Sequence, residues 1–150
     1  MSKNLKKGNF TESPYFKLKL TQLYEMIIVR HGVMVVGLPF STKSTTINIL
    51  AETLGDCAIA GIMEEKKVEI CTMNPKSLKL TEFYGNFDEI SHDWFDGVLA
   101  TWFRKFADPE ALQNRRWLLF DGPVDTLWIE SMNTVLDDSQ KLCLNSGEVI

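Results

Sequence analysis

The chain has 150 residues, 45% of them hydrophobic and 24% charged, the balance of a globular domain able to bury a core. Sixteen basic against twenty acidic residues give a formal net charge of -4, which speaks against a nucleic-acid surface, since such surfaces are basic. No apolar run approaches the ~20 residues of a membrane span. No apolar stretch follows Met1 in the manner of a signal peptide, and Cys57, Cys71 and Cys143 are spaced too widely for a metal or disulfide motif.

Residues 1–17 mix Gly8 and Pro14 with polar residues and hold Lys3, Lys6, Lys7 and Lys17, with Lys19 just beyond; they read as a solvated, disordered leader. From Leu18 to Arg30 the residues Leu20, Leu23, Tyr24, Ile27 and Ile28 recur at intervals of three and four, which predicts an amphipathic helix ended by His31-Gly32. Val33-Met34-Val35-Val36 is apolar, rich in β-branched residues and bounded by glycines, the pattern of a strand buried on both faces. A helix is expected from Ser44 to Leu54, stopped by Gly55, and a second strand from Val68 to Met73, broken by Asn74-Pro75. Leu78–Tyr84 reads as a short helix and Gly85–Ser91 as a loop. Asp93–Phe106 reads as a helix whose aromatics, Trp94, Phe95, Trp102 and Phe103, pack in a core; Asp108-Pro109 then opens a turn. Trp117–Phe120 is the third strand and Thr126–Leu136 another helix. Leu142–Leu144 and Val149-Ile150 flank a turn containing Gly147, which predicts a C-terminal β-hairpin. Strands alternating with helices give an α/β fold with a mainly parallel sheet.

The most informative stretch is Gly37-Leu38-Pro39-Phe40-Ser41-Thr42-Lys43-Ser44, between an expected strand and an expected helix. It matches the phosphate-loop pattern G-x-x-x-x-G-K-S/T except that Thr42 stands at the second glycine. In such a loop consecutive backbone N–H groups face phosphate oxygens, the following helix adds its positive end, the lysine reaches the β- and γ-phosphates and the hydroxyl ligates Mg²⁺. The candidate nucleotide-binding residues are therefore Gly37, Ser41, Thr42, Lys43, Ser44 and Thr45. Thr42 is ill suited to a position that needs positive φ or close backbone approach, and Pro39 and Phe40 add bulk and remove a donor.

The second element is Trp117–Phe120 followed by Asp121, a buried strand ending in an acid, which makes Asp121 a candidate Mg²⁺ ligand together with Ser44. Hydrolysis would need a further carboxylate to orient the attacking water. ATPases of the AAA+ type carry a glutamate directly after the strand acid; here that residue is Gly122. Asp125 and Glu130 follow, but a helix N-cap and a solvated face account for them more simply. No catalytic residue is assigned. His31 and His92 have no cysteine near either, which speaks against any other metal site.

Several stretches together resemble the dynein heavy chain family, its second AAA+ module in particular, in an axonemal rather than cytoplasmic form. They are Val29–Gly37, Met73–Ser77, Phe83–Asp88, His92–Leu99, the run Phe120–Asp125 continuing through Trp128–Asp138, Lys141–Leu144 and Ser146–Glu148. The resemblance implies a P-loop NTPase core of the AAA+ type, incomplete, spanning residues 18–150 as a partial nucleotide-binding domain. It implies ATP or ADP with Mg²⁺ as ligand, held without hydrolysis in a regulatory role. The partners it implies are other dynein heavy-chain modules and dynein subunits, with microtubules reached only through parts of the family's fold not found in these residues. Neither nucleic acid nor membrane is an expected partner. The expected location is cytoplasmic, on the cytoskeleton, in the axoneme of a cilium. The family's sensor-1 strand, sensor arginines and helical lid would lie beyond Ile150. The competing reading is a non-enzymatic interaction piece that binds no nucleotide. A stand-alone P-loop kinase would need a lid with paired arginines, which Arg30, Arg104, Arg115 and Arg116 do not supply.

Overall fold

Pro14 has no backbone N–H to donate, which does no harm at the first position of a helix, and the Ser13 hydroxyl accepts the Phe16 N–H at 3.1 Å. In the computed structural model, which describes residues 1–109 and 113–150, these two residues begin α2 (Pro14–Val29) ahead of the start that apolar spacing predicts. The residues read as a leader also carry α1 (Ser2–Lys7), whose Leu5 and Asn4 are buried. Helix α3 (Lys43–Ile59) presents Thr46, Ile49, Leu50 and Leu54 inward. It runs through Gly55 without stopping: a single helical glycine costs about 1 kcal/mol, too little to end a packed helix. These helices belong to one compact unit, Met1–Glu69 with Gln113–Arg115. Within it the buried Glu65 carboxylate accepts from the Tyr24 hydroxyl at 2.6 Å and pairs with Arg115 at 2.9 Å.

The second unit is Ile70–Leu112 with Arg116–Ile150. Most of β1 (Val68–Met73) and β4 (Arg115–Phe120) lies here, and the two strands are neighbours in one sheet. The Arg115 N–H donates to the Lys67 carbonyl at 2.8 Å and the Asp121 N–H to the Met73 carbonyl at 2.9 Å, so the strands run parallel. After a short 3-10 turn, Pro75–Ser77, comes α4 (Leu80–Tyr84). Next is an antiparallel pair, β2 (Gly85–Phe87) with β3 (Trp94–Asp96), in register Gly85 to Asp96 and Phe87 to Trp94. Two expectations are corrected here. Gly85–Phe87 is strand rather than loop, and the helix expected from Asp93 begins only at α5 (Val98–Ala107). The cause is local: Gly85 turns sharply at φ 118°, and Gly97 takes the extended N-cap conformation of α5. The helix expected at Thr126–Leu136 is broken into α6 (Thr126–Ile129), a 3-10 turn and α7 (Asn133–Leu136). Leu142 and Ile150 exchange backbone hydrogen bonds at 2.9 Å and Cys143 bridges Val149, so the expected C-terminal hairpin is present.

The core of this unit gathers Cys71, Met73, Phe83, Tyr84, Leu99, Trp128, Met132, Leu142 and Leu144. Phe83 stands edge-on to Tyr84, and the Tyr84 hydroxyl donates to the Trp128 carbonyl. Arg104 on α5 binds both Asp96 on β3 and Glu148 of the terminal hairpin, and it holds both carboxyls below their usual range. Among the described residues no helix is long and apolar enough to cross a membrane.

Val33–Val36 is the largest departure from expectation. The run pairs with no strand among the described residues, and its side chains are exposed, Met34 by 66% and Val36 by 84%. A β-branched run takes strand form only when a neighbour supplies the other half of its hydrogen-bond ladder. The parallel sheet is thus two strands, β1 and β4, rather than the three expected.

Candidate functional site

The loop that leads into α3 is bent by two residues that lack glycine's freedom. Phe40 and Thr42 both sit at φ 61°, in the left-handed region. Thr42 is the N-cap of α3, at ψ 18°. This is the position that the phosphate-loop pattern gives to its second glycine, and the backbone there takes the conformation that glycine adopts freely. A residue with a Cβ pays about 1–2 kcal/mol in that region. The Thr42 hydroxyl donates to the Ser41 carbonyl at 2.7 Å instead of capping the helix, so no side chain caps α3. The N–H groups of Lys43, Ser44 and Thr45, in the first turn, have no acceptor within the helix.

The Lys43 ammonium turns back over the loop. It donates to the Gly37 and Leu38 carbonyls at 2.9 and 2.8 Å and to the Ser41 hydroxyl at 3.3 Å. A Cβ at Gly37 would stand 2.7 Å from Ser41 Oγ, so a side chain there would displace that hydroxyl from the loop. The Phe40 side chain is 102% exposed, so its bulk points away from the loop interior. An ammonium, the hydroxyls of Ser41, Ser44 and Thr45, and an uncapped helix start lie within nine residues, a set whose chemistry suits a phosphate group.

Asp121 belongs to the second unit, just past β4, with its N–H held by the Met73 carbonyl and its carboxylate exposed. Beside it, a Cβ on Gly122 would stand 2.7 Å from Asn74 Oδ1, which itself accepts the Lys76 N–H at 3.0 Å. Asp125 caps α6 by accepting the Leu127 N–H at 3.1 Å and pairs with Lys76, which holds its carboxyl well below the usual range. Glu130 faces solvent. Both acids therefore have the structural roles expected of them.

The structure thus gathers Gly37, Ser41, Thr42, Lys43, Ser44 and Thr45 in one loop and helix turn of the first unit, and sets Asp121 at the end of a parallel strand in the second. Two partners escaped the sequence reading. The carbonyls that hold Lys43 carry no sequence signal. Asn74 does carry one, since Asn before Pro favours a turn in which its side chain bonds the backbone two residues on.

Thr42→Gly is expected to leave the unfolding temperature nearly unchanged, because relief of the left-handed strain is offset by the greater entropy of glycine in the unfolded chain. It removes a Cβ and its branches from the approach to the loop, and affinity for a triphosphate should rise about tenfold, the equivalent of about 1.4 kcal/mol. Titration calorimetry with Mg-ATP reads this; unchanged or weaker affinity would contradict it.

Comparison with known proteins gives long matches. The chain is 49% identical over 150 residues to dynein axonemal heavy chain 3 of Homo sapiens, covering 100% of this chain and 4% of that protein. It is 52% identical over 142 residues to dynein axonemal heavy chain 12 of Homo sapiens, covering 95% of this chain and 5% of that protein. To dynein axonemal heavy chain 1 of Homo sapiens it is 45% identical over 147 residues, 95% of this chain and 3% of that protein. No family model matches the chain. The chain spans only 3–5% of the length of these relatives. With close to half of its residues identical along its whole length, the chain is homologous to a segment of the axonemal dynein heavy chains.

Proposed function

We propose that this chain is the nucleotide-holding core of an AAA+ module of a dynein heavy chain, the second module of the ring, and that it binds ATP or ADP with Mg²⁺ without hydrolysing it. The observation that carries this reading is the loop into α3, where Lys43 is held over the loop mouth by the Gly37 and Leu38 carbonyls and the first turn of the helix is uncapped. Lys43 would exchange those carbonyls for phosphate oxygens, and the N–H groups of Thr42, Lys43, Ser44 and Thr45 would cradle the same group. The Ser44 hydroxyl would ligate Mg²⁺. Bound nucleotide supplies the negative charge that this uncapped helix start lacks.

The absence of hydrolysis rests on Gly122 and its surroundings. Gly122 has no carboxylate, and Asn74 Oδ1 fills the space that a side chain would enter. Asp125 is engaged with Lys76 and the α6 cap. A module of this kind regulates a motor rather than powering it. Its partners would be the other heavy-chain modules and dynein subunits, with microtubules reached through other parts of the protein, on the cytoskeleton of an axoneme.

The left-handed Thr42 favours a second reading, an interaction piece that binds no nucleotide. Titration calorimetry of the whole chain with Mg-ATP separates the two. Measurable binding that weakens at least about tenfold in Lys43→Ala supports the first, given about 1.5–3 kcal/mol for hydrogen bonds to a charged group. No heat from the unmodified chain supports the second, and binding that survives the substitution excludes this mode of holding phosphate.

A further inference from the structure

Lys3, Lys6 and Lys7 fall on one face of α1, at spacings of three and four, and all three are exposed. The opposite face carries Asn4 and Leu5, exposed by only 4% and 1%, so the helix is anchored and its lysines are held in a fixed array. Residues 1–19 contain five lysines and one acid, Glu12, and the remainder of the chain has eleven basic against nineteen acidic residues. Glu12 is paired with Lys17 and also feels the charge of Lys6, so this single acid is set against five lysines. None of the three lysines lies within ion-pair distance of a carboxylate among the described residues. Lys6 and Lys7 suit the negative end of α1, but that role leaves Lys3, at the other end of the helix, without an explanation.

From the lysine face of α1 we infer a docking surface for an acidic polypeptide segment. Side chains three and four residues apart on one helix face have Cβ atoms about 5–6 Å apart. Alternate carboxylates of an extended chain repeat at about 6.6–6.8 Å, a spacing that flexible lysine side chains can meet. A membrane fits less well. Insertion needs a free apolar face, and the apolar side of α1 is buried within its own unit. Three lysines alone supply only about 3 kcal/mol at an anionic bilayer. This surface is independent of the nucleotide reading.

Fluorescence anisotropy of a labelled oligoglutamate peptide with the whole chain tests the inference. Binding is expected at low ionic strength and should weaken at least about fivefold as the Debye length shortens to about 8 Å at physiological salt. The triple variant Lys3→Glu, Lys6→Glu, Lys7→Glu should weaken it at least about tenfold, from three exposed pairs of about 0.2–1 kcal/mol each together with the repulsion that charge reversal adds. The milder Lys3→Gln, Lys6→Gln, Lys7→Gln variant, with an unchanged circular dichroism spectrum, should show an intermediate loss and guards against misfolding of the first. Absence of peptide binding at low salt would overturn the inference. So would equal binding by the glutamine variant, or tighter binding to phosphatidylserine vesicles or to single-stranded RNA than to the peptide.

Discussion

Replacing Phe83 by alanine is expected to destabilise the second unit by about 3–5 kcal/mol, a large part of the 5–15 kcal/mol that holds a typical domain folded. Phe83 is 0% exposed and stands edge-on to Tyr84 at 4.9 Å and to Phe120 at 6.2 Å. Its removal opens a cavity where α4 meets β4, and the backbone around it cannot collapse freely. A Cβ on Gly97 would stand 2.4 Å from the Phe83 carbonyl oxygen, so that carbonyl is already in close contact with the chain leading into α5. Near-ultraviolet circular dichroism during urea unfolding reads the loss. Leu127→Ala, at a side chain 65% exposed, is the control and should change stability by no more than about 0.5 kcal/mol. Equal effects from the two substitutions would mean that Phe83 is not a core residue.

The second large effect is a loss of stability at high pH centred on Tyr84. Burial pushes its phenol up to about 12 from the ordinary 10.0. The folded form therefore binds the proton more tightly than the unfolded form does. The stability this contributes is fully present below about pH 10 and is lost as pH rises towards 12, by about 2–3 kcal/mol in all. Tyr84→Phe removes the ionisation and with it most of that slope, while costing about 1 kcal/mol at neutral pH for the lost hydrogen bond to the Trp128 carbonyl. Urea midpoints measured at several pH values between neutrality and pH 12 check both statements. A slope retained in Tyr84→Phe would place its origin in another group.

Much of this was readable because local rules and tertiary packing agree. The Lys43-Ser44 pair begins a helix, Val68–Met73 and Trp117–Phe120 lie in parallel strands, and Leu142 and Ile150 close a hairpin, as pattern and turn residues require. The misreadings have a common cause. Val33–Val36 has the composition of a buried strand, yet composition cannot supply the neighbouring strand on which the state depends. The aromatics Trp94 and Phe95 fall on a helical spacing with Trp102 and Phe103, but Gly97 separates β3 from α5, and a break of that kind leaves no trace in apolar periodicity. At the candidate site the departure from pattern was itself informative. Thr42 breaks the glycine rule, and the left-handed conformation found there is the one the rule exists to serve. The hold of Lys43 on its own loop carbonyls has no sequence signature, because every residue type presents the same acceptor.

The proposed function stands on one triphosphate being held by the loop before α3 and the first turn of that helix. A double-mutant cycle on Mg-ATP affinity tests that most directly, with Lys43→Ala and Ser44→Ala made singly and together. Two residues serving one triphosphate should be coupled, so the combined loss should differ from the sum of the single losses by more than about 0.5 kcal/mol. Losses that add within that margin, or a Lys43→Ala variant that binds as tightly as the unmodified chain, would contradict a shared phosphate site.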